Sequence, residues 1–218
     1  MKKFIKNNGL SITFLFIFLF SLFAQVYFGH EEYNKELIED SGTPVNLGSY
    51  LTSGHFVEST FENWESEFLQ MGLFVVMTIF LMQKGSSESK KFDGSDEVDR
   101  EPDPNREGAT WPVKKGGFIL TLYKHSLTIA FFLLFIISMV LHFYGSLSDV
   151  NTQNALKGET LQSAWQFIPD SKFWFESFQN WQSEFLSIYA MIVLSVYLRQ
   201  KGSPQSKPVD APHGETGE

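Results

Sequence analysis

Residues 10–28 read LSITFLFIFLFSLFAQVYF, 19 consecutive positions without a charged side chain. As an α-helix rising about 1.5 Å per residue, this run measures about 28 Å, close to the hydrocarbon thickness of a bilayer. Residues 127–145, LTIAFFLLFIISMVLHFYG, repeat the pattern, again with no Asp, Glu, Lys or Arg. Two shorter apolar runs cover residues 68–82 and 185–198, and each follows an amphipathic aromatic stretch that would carry a helix into the headgroup zone. The expected fold is all-α and integral to a membrane, with four transmembrane helices near residues 10–28, 64–82, 127–145 and 181–199.

Composition agrees with that reading. The chain has 218 residues, 23 of them Phe, and no Cys; the formal net charge is −8. A mean hydropathy of −0.09 averages very apolar and very polar blocks. Without Cys there are no structural disulfides, thiolate nucleophiles, Cys-ligated zinc sites or iron–sulfur clusters. The acidic balance argues against nucleic acid as a partner. The first run has the basic start of a signal peptide (Lys2, Lys3, Lys6) but exceeds the usual apolar length. Leu22-Phe23-Ala24 puts a large residue where cleavage wants a small one, so an uncleaved anchor is expected.

Charge placement sets the expected orientation. Residues 1–9, 83–126 and 199–218 hold 14 of the 17 Lys and Arg; the remaining connections hold only Lys35, Lys157 and Lys172. The positive-inside rule then puts both termini and the central loop in the cytoplasm.

The chain also repeats itself. Phe61–Leu69 (FENWESEFL) and Phe178–Leu186 (FQNWQSEFL) share seven of nine residues at an offset of 117. Gln83–Ser86 and Gln200–Ser203 match at the same offset, as do Leu10/Leu127, Phe14/Phe131, Phe18/Phe135, Ser21/Ser138 and Tyr27/Tyr144. One gapless offset joining separated blocks predicts two tandem helical-hairpin repeats, residues 1–84 and 118–201. An even number of spans per unit makes the copies parallel, related by a pseudo-two-fold axis along the membrane normal. Residues 85–117 read as a disordered cytoplasmic linker and residues 202–218 as a cytoplasmic tail, because Gly, Ser, Pro and mixed charge cannot bury a core.

The repeated motif is the place to look for chemistry. Phe61 and Trp64, with Phe178 and Trp181, read as interfacial anchors. Ser59 followed by Glu62 resembles a capping box, and Glu176 would favour a helix N-terminus. Anchor plus cap leaves Glu67 and Glu184 unexplained, since both sit at the edge of apolar runs where a carboxylate needs a partner or a proton. Gln25 and His142 occupy aligned positions at similar depth. A polar layer of Gln25, His142, Asn63, Asn180, Ser66, Ser183, Glu67 and Glu184 follows as the candidate site. It reads first as a structural hydrogen-bond network, then as a proton or cation site or a small-ligand site. No His-x3-His or similar spacing supports a metal, and His125 and His142, 17 residues apart on one helix, are about 25 Å apart and cannot share a haem. No cofactor is expected.

The twice-occurring Phe-x-Asn-Trp-x-Ser-Glu-Phe-Leu followed by Gln-Lys-Gly-Ser resembles a bacterial family of small multi-pass proteins, domain of unknown function 6766. The resemblance covers nearly the whole chain and implies a bacterial inner-membrane setting but no activity. Phosphate-binding Gly loops and nucleophile elbows are missing from the sequence, so an enzyme is not expected. Two functions compete: a non-enzymatic structural or accessory membrane protein, and a small proton, cation or solute permeation protein using the outer carboxylate and His layer. The expected partners are the lipid bilayer and a second copy or another membrane protein.

Overall fold

The protein is described by a computed structural model covering residues 2–92, 94 and 96–217. The described residues are helical, without strands. Helices α1 (Lys2–Asn7) and α2 (Gly9–Glu39) are followed by the short α3 (Leu47–Tyr50) and the long α4 (Gly54–Phe80). A 3-10 turn at Glu97–Asp99 precedes α5 (Trp111–Lys115), α6 (Gly117–Lys124), α7 (Ser126–Lys157), α8 (Ala164–Phe167) and α9 (Ser171–Tyr197). The starts of α2 and α7, α3 and α8, and α4 and α9 are each 117 residues apart. Breaks at Asn8 and His125 fall at equivalent positions too.

Helices α2 and α7 are long and apolar enough to cross a membrane. They contain the two uncharged runs and continue past them into polar turns. Helices α4 and α9 have 27 residues each, about 40 Å of rise, but only their C-terminal halves are continuously apolar. They begin about ten residues before the expected spans, so the capping reading at Ser59 is corrected. Ser59 lies inside α4, where its hydroxyl donates to the Phe56 carbonyl at 3.3 Å. Glu176 likewise lies inside α9. The true caps stand at Ser53, whose Oγ accepts the Phe56 N–H at 3.2 Å, and Asp170, whose Oδ1 accepts the Lys172 N–H at 2.9 Å.

The chain divides into two compact units, residues 1–61 with 140–173, and residues 62–139 with 174–218. In the first, Tyr33, Leu37 and Tyr50 form a buried cluster flanked by Val45 and Phe56. A second aromatic group joins Phe143, Phe167 and Phe173, with ring centroids 5.3–6.3 Å apart. Helix α4 crosses α7 through two glycines. A Cβ at Gly54 would lie 2.3 Å from the Asp149 nitrogen, and one at Gly145 would lie 2.5 Å from the Glu58 nitrogen. Only the missing side chains let these backbones approach so closely.

In the second unit a Cβ at Gly72 would lie 3.5 Å from Phe131 and Phe132. The polar segments that read as solvated are tied down at their ends. Ser86 Oγ lies 2.8 Å from Ser195 Oγ, and Ser87 donates to the Gln205 carbonyl at 3.1 Å. Polarity excludes a hydrophobic core here, but it does not prevent loops from satisfying one another.

Candidate functional site: buried polar clusters

In the first unit the polar groups gather where α7 meets the N-terminal turns of α4 and α9. His142, Ser146 and Asp149 are separated by four and three residues and so share one stripe of α7. All three are buried; His142 and Ser146 have no exposed surface. The His142 ring packs on Phe173 at 4.9 Å. Lys172 forms an ion pair with Glu58 and also donates to Ser146 Oγ at 3.2 Å. Asp149 accepts from Gln153 Nε2 at 2.7 Å. Gln25 reaches across from α2 to donate to Thr60 Oγ1 at 3.1 Å.

Nearby, the first connection holds a different set. Tyr33 and Tyr50 lie 5.7 Å apart, with His55 4.9 Å from Tyr33 and His30 5.5 Å from Tyr50. Burial pushes the Tyr50 phenol above its ordinary value of 10.0, and the Glu36 carboxylate adds to the shift. The Tyr50 hydroxyl has no hydrogen-bond partner among the described residues and is wedged against Gly29, where a Cβ would sit 2.1 Å away.

In the second unit the repeated motif supplies the contacts. Trp181 Nε1 donates to Glu65 Oε1 at 3.2 Å, and Glu65 is fully buried. The Trp181 ring also meets Phe135 at 6.5 Å and Phe178 at 5.2 Å. Gln70 Nε2 donates to Ser187 Oγ at 2.9 Å and to the Glu184 carbonyl at 2.8 Å. Ser66 and Ser183 turn back onto their own helices, donating to the Asn63 and Asn180 carbonyls at 2.7 and 2.9 Å.

The eight residues of the expected polar layer therefore fare differently. Gln25, His142 and Ser66 face inward, the last two buried; Asn180 and Glu184 are half-buried; Asn63, Glu67 and Ser183 are exposed. Of the four aromatic anchors, Phe61, Trp64 and Trp181 are half-buried and Phe178 is exposed. Sequence reasoning missed Glu58, Lys172, Ser146, Asp149 and Glu65. One signal was available: Ser138, His142, Ser146, Asp149 and Gln153 recur at helical spacing along the polar side of α7.

Neither the curated proteins nor the solved structures contain a match to this chain. A family model described as Domain of unknown function (DUF6766) matches residues 1–218. The whole length is covered, so the chain belongs to that family.

Proposed function

We propose that this is a multi-pass membrane protein of two tandem helical hairpins, with α2, α4, α7 and α9 as four spans and both termini in the cytoplasm. Its role is structural or accessory and not enzymatic. The 117-residue spacing of corresponding helices supports the tandem reading. So does Gln70 bonding to Ser187, its own equivalent at that spacing, since equivalent positions touch only near a symmetry axis. The side chains of Phe14, Leu15, Phe16 and Phe20 on α2 are more than half exposed, a surface suited to lipid. The excess of Lys and Arg in residues 1–9, 83–126 and 199–218 supports the orientation, and a cell (inner) membrane is the expected setting.

One observation carries the structural role. The inward polar groups are engaged with other helices: Gln25 with Thr60, Lys172 with Glu58, Trp181 with Glu65 and Gln70 with Ser187. In a membrane such bonds are worth about 0.6 kcal/mol each on average, but they fix helix register. A second reading, proton or cation permeation, draws support from the buried His142–Ser146–Asp149 stripe, which runs from the apolar part of α7 into its polar turns. Reconstitution into liposomes separates the two. The structural role predicts proton and potassium leak no faster than protein-free vesicles show. A leak that disappears in Asp149→Asn would replace it with permeation.

A further inference from the structure

We propose that residues 83–91 form a binding surface for the chain's own C-terminal segment, residues 202–217, and that Lys207 locks the segment in place. This inference does not depend on whether the helices cross a bilayer.

The two ends of the repeated polar motif are built alike. QKGSSESK at 83–90 and QKGSPQSK at 200–207 match at the same offset of 117. In the first, Ser89 Oγ accepts the Gln83 N–H at 2.9 Å; in the second, Ser206 Oγ accepts the Gln200 N–H at 2.9 Å. Each loop thus folds back over the end of the helix before it and presents its final lysine to whatever follows. Lys90 pairs with Asp99 at 2.9 Å. Its equivalent, Lys207, donates instead to three backbone carbonyls: Pro212 at 3.2 Å, His213 at 3.1 Å and Glu215 at 2.8 Å. Only 2% of Lys207 is exposed. An ammonium buried this deeply requires its three donors to be satisfied, and the tail supplies all three acceptors.

The curled tail then meets the first loop. Gly85 N–H donates to Thr216 Oγ1 at 2.8 Å, and Gly217 N–H donates to the Ser86 carbonyl at 3.1 Å. Gly85 has φ +87°, and a Cβ there would lie 2.2 Å from the His213 carbonyl oxygen. Glycine is required here twice over, for conformation and for room. Arg199 holds the near side through the Ala211 carbonyl at 3.0 Å, and His213 Nδ1 lies 3.1 Å from the Val196 carbonyl. Ser86, the acceptor for Gly217, also lines a cleft of about 310 Å³ between α4 and α9. The strap therefore braces one wall of that cleft.

The natural absence of cysteine makes a direct test simple. Lys84→Cys and Gly214→Cys are introduced together, since the Lys84 side chain passes 3.7 Å from the Cβ position of Gly214. A short bifunctional thiol reagent is then added to the full-length protein. The strap predicts an intramolecular cross-link that forms at least tenfold more slowly when Lys207→Gln is added and is unchanged by Lys201→Gln. Far-ultraviolet dichroism confirms that both variants keep their helices. As a second readout, deleting residues 203–218 should speed labelling of the single Lys84→Cys variant by a water-soluble maleimide. A cross-link that ignores Lys207→Gln would overturn the lock, and one that joins two chains would move the tail onto a neighbouring copy. Unchanged labelling after deletion would overturn the binding surface itself.

Discussion

The connection after α2 and the connection after α7 follow one backbone plan with different side chains. After α2, Ser41 takes a left-handed conformation (φ 63°) and Gly42 N–H bonds back to the Leu37 carbonyl at 2.6 Å. After α7, Gly158 (φ 70°) occupies the equivalent place and Glu159 N–H bonds to the Asn154 carbonyl at 2.8 Å. Both are Schellman-type helix ends. An asparagine then clips each connection to its helix. Asn34 accepts from Val45 N–H at 2.7 Å and returns a bond to the Val45 carbonyl at 3.1 Å; Asn151 does the same with Gln162 at 2.7 and 2.9 Å. Beneath the clip, the first copy is filled by Tyr50, His30 and His55, and the second by Phe167, Phe143 and Phe173. The lesson is that backbone hydrogen bonding carries the shape, while the filling is free to diverge in polarity.

Changes made in matched pairs sharpen this contrast. The largest effect should come from the apolar filling. Phe167 is fully buried, so Phe167→Ala should cost about 3–5 kcal/mol in a denaturant titration of the detergent-solubilised protein. Tyr50→Ala should cost less, because the wild-type phenol already bears an unsatisfied hydroxyl. Next come Lys172 and His55, which are equivalent positions with unlike partners. Lys172→Met should cost about 1–3 kcal/mol; the pair with Glu58 is partly exposed, which lowers the penalty expected for a fully buried pair. His55→Met should cost little, since its imidazole stands 3.9 Å from Glu36. Equal losses at the two positions would show that the ion pair adds nothing.

The clips themselves should be interchangeable. Asn34→Ala and Asn151→Ala should each cost about 1–2 kcal/mol, because each removes the same pair of backbone bonds; Asn34 also lies 2.9 Å from His30 Nε2, which puts its loss at the upper end. Helix ends give a smaller effect with opposite signs. Ser41→Gly should raise stability by about 1 kcal/mol and Gly158→Ser should lower it by about as much, since both positions are left-handed and nothing lies within 4 Å of a Cβ at Gly158.

The smallest effect is on pH dependence. Tyr50 has a folded-state pKa above the unfolded value, so its contribution is intact below about pH 10 and is lost as the pH climbs through the folded-state pKa. Tyr50→Phe should therefore move the alkaline unfolding midpoint upward. A midpoint that stays in place would place the alkaline transition elsewhere.

Much of the helix pattern was legible from residues. The uncharged runs 10–28 and 127–145 lie inside α2 and α7, because nothing in them interrupts a helix or offers an alternative use for the backbone. The starts of α4 and α9 were not legible. Residues 54–63 and 171–180 mix acids, amides and aromatics with no clean period, and their helicity depends on packing at Gly54, Gly145 and Phe173. The same ambiguity hid Glu65. Glu62, Glu65 and Glu67 point in different directions around α4, and which one turns inward is decided by the position of Trp181, far away in sequence. Repetition between copies singles out Glu67 and Glu184, yet among the described residues it is Glu65, replaced by Gln182 in the second copy, whose carboxylate is fully buried. Tail docking was hidden for a related reason: backbone carbonyls at 212–215 leave no mark on composition.

The central claim, that each hairpin leaves and returns on the same side of a membrane, is tested most directly by sided labelling of single cysteines. Thr43, Asn105, Thr160 and Val209 are exposed, and the chain has no cysteine to remove. In sealed, right-side-out vesicles, an impermeant maleimide should label Cys introduced at 43 and 160 and should reach 105 and 209 only after permeabilisation. Labelling of 43 and 105 from one and the same side would contradict the account.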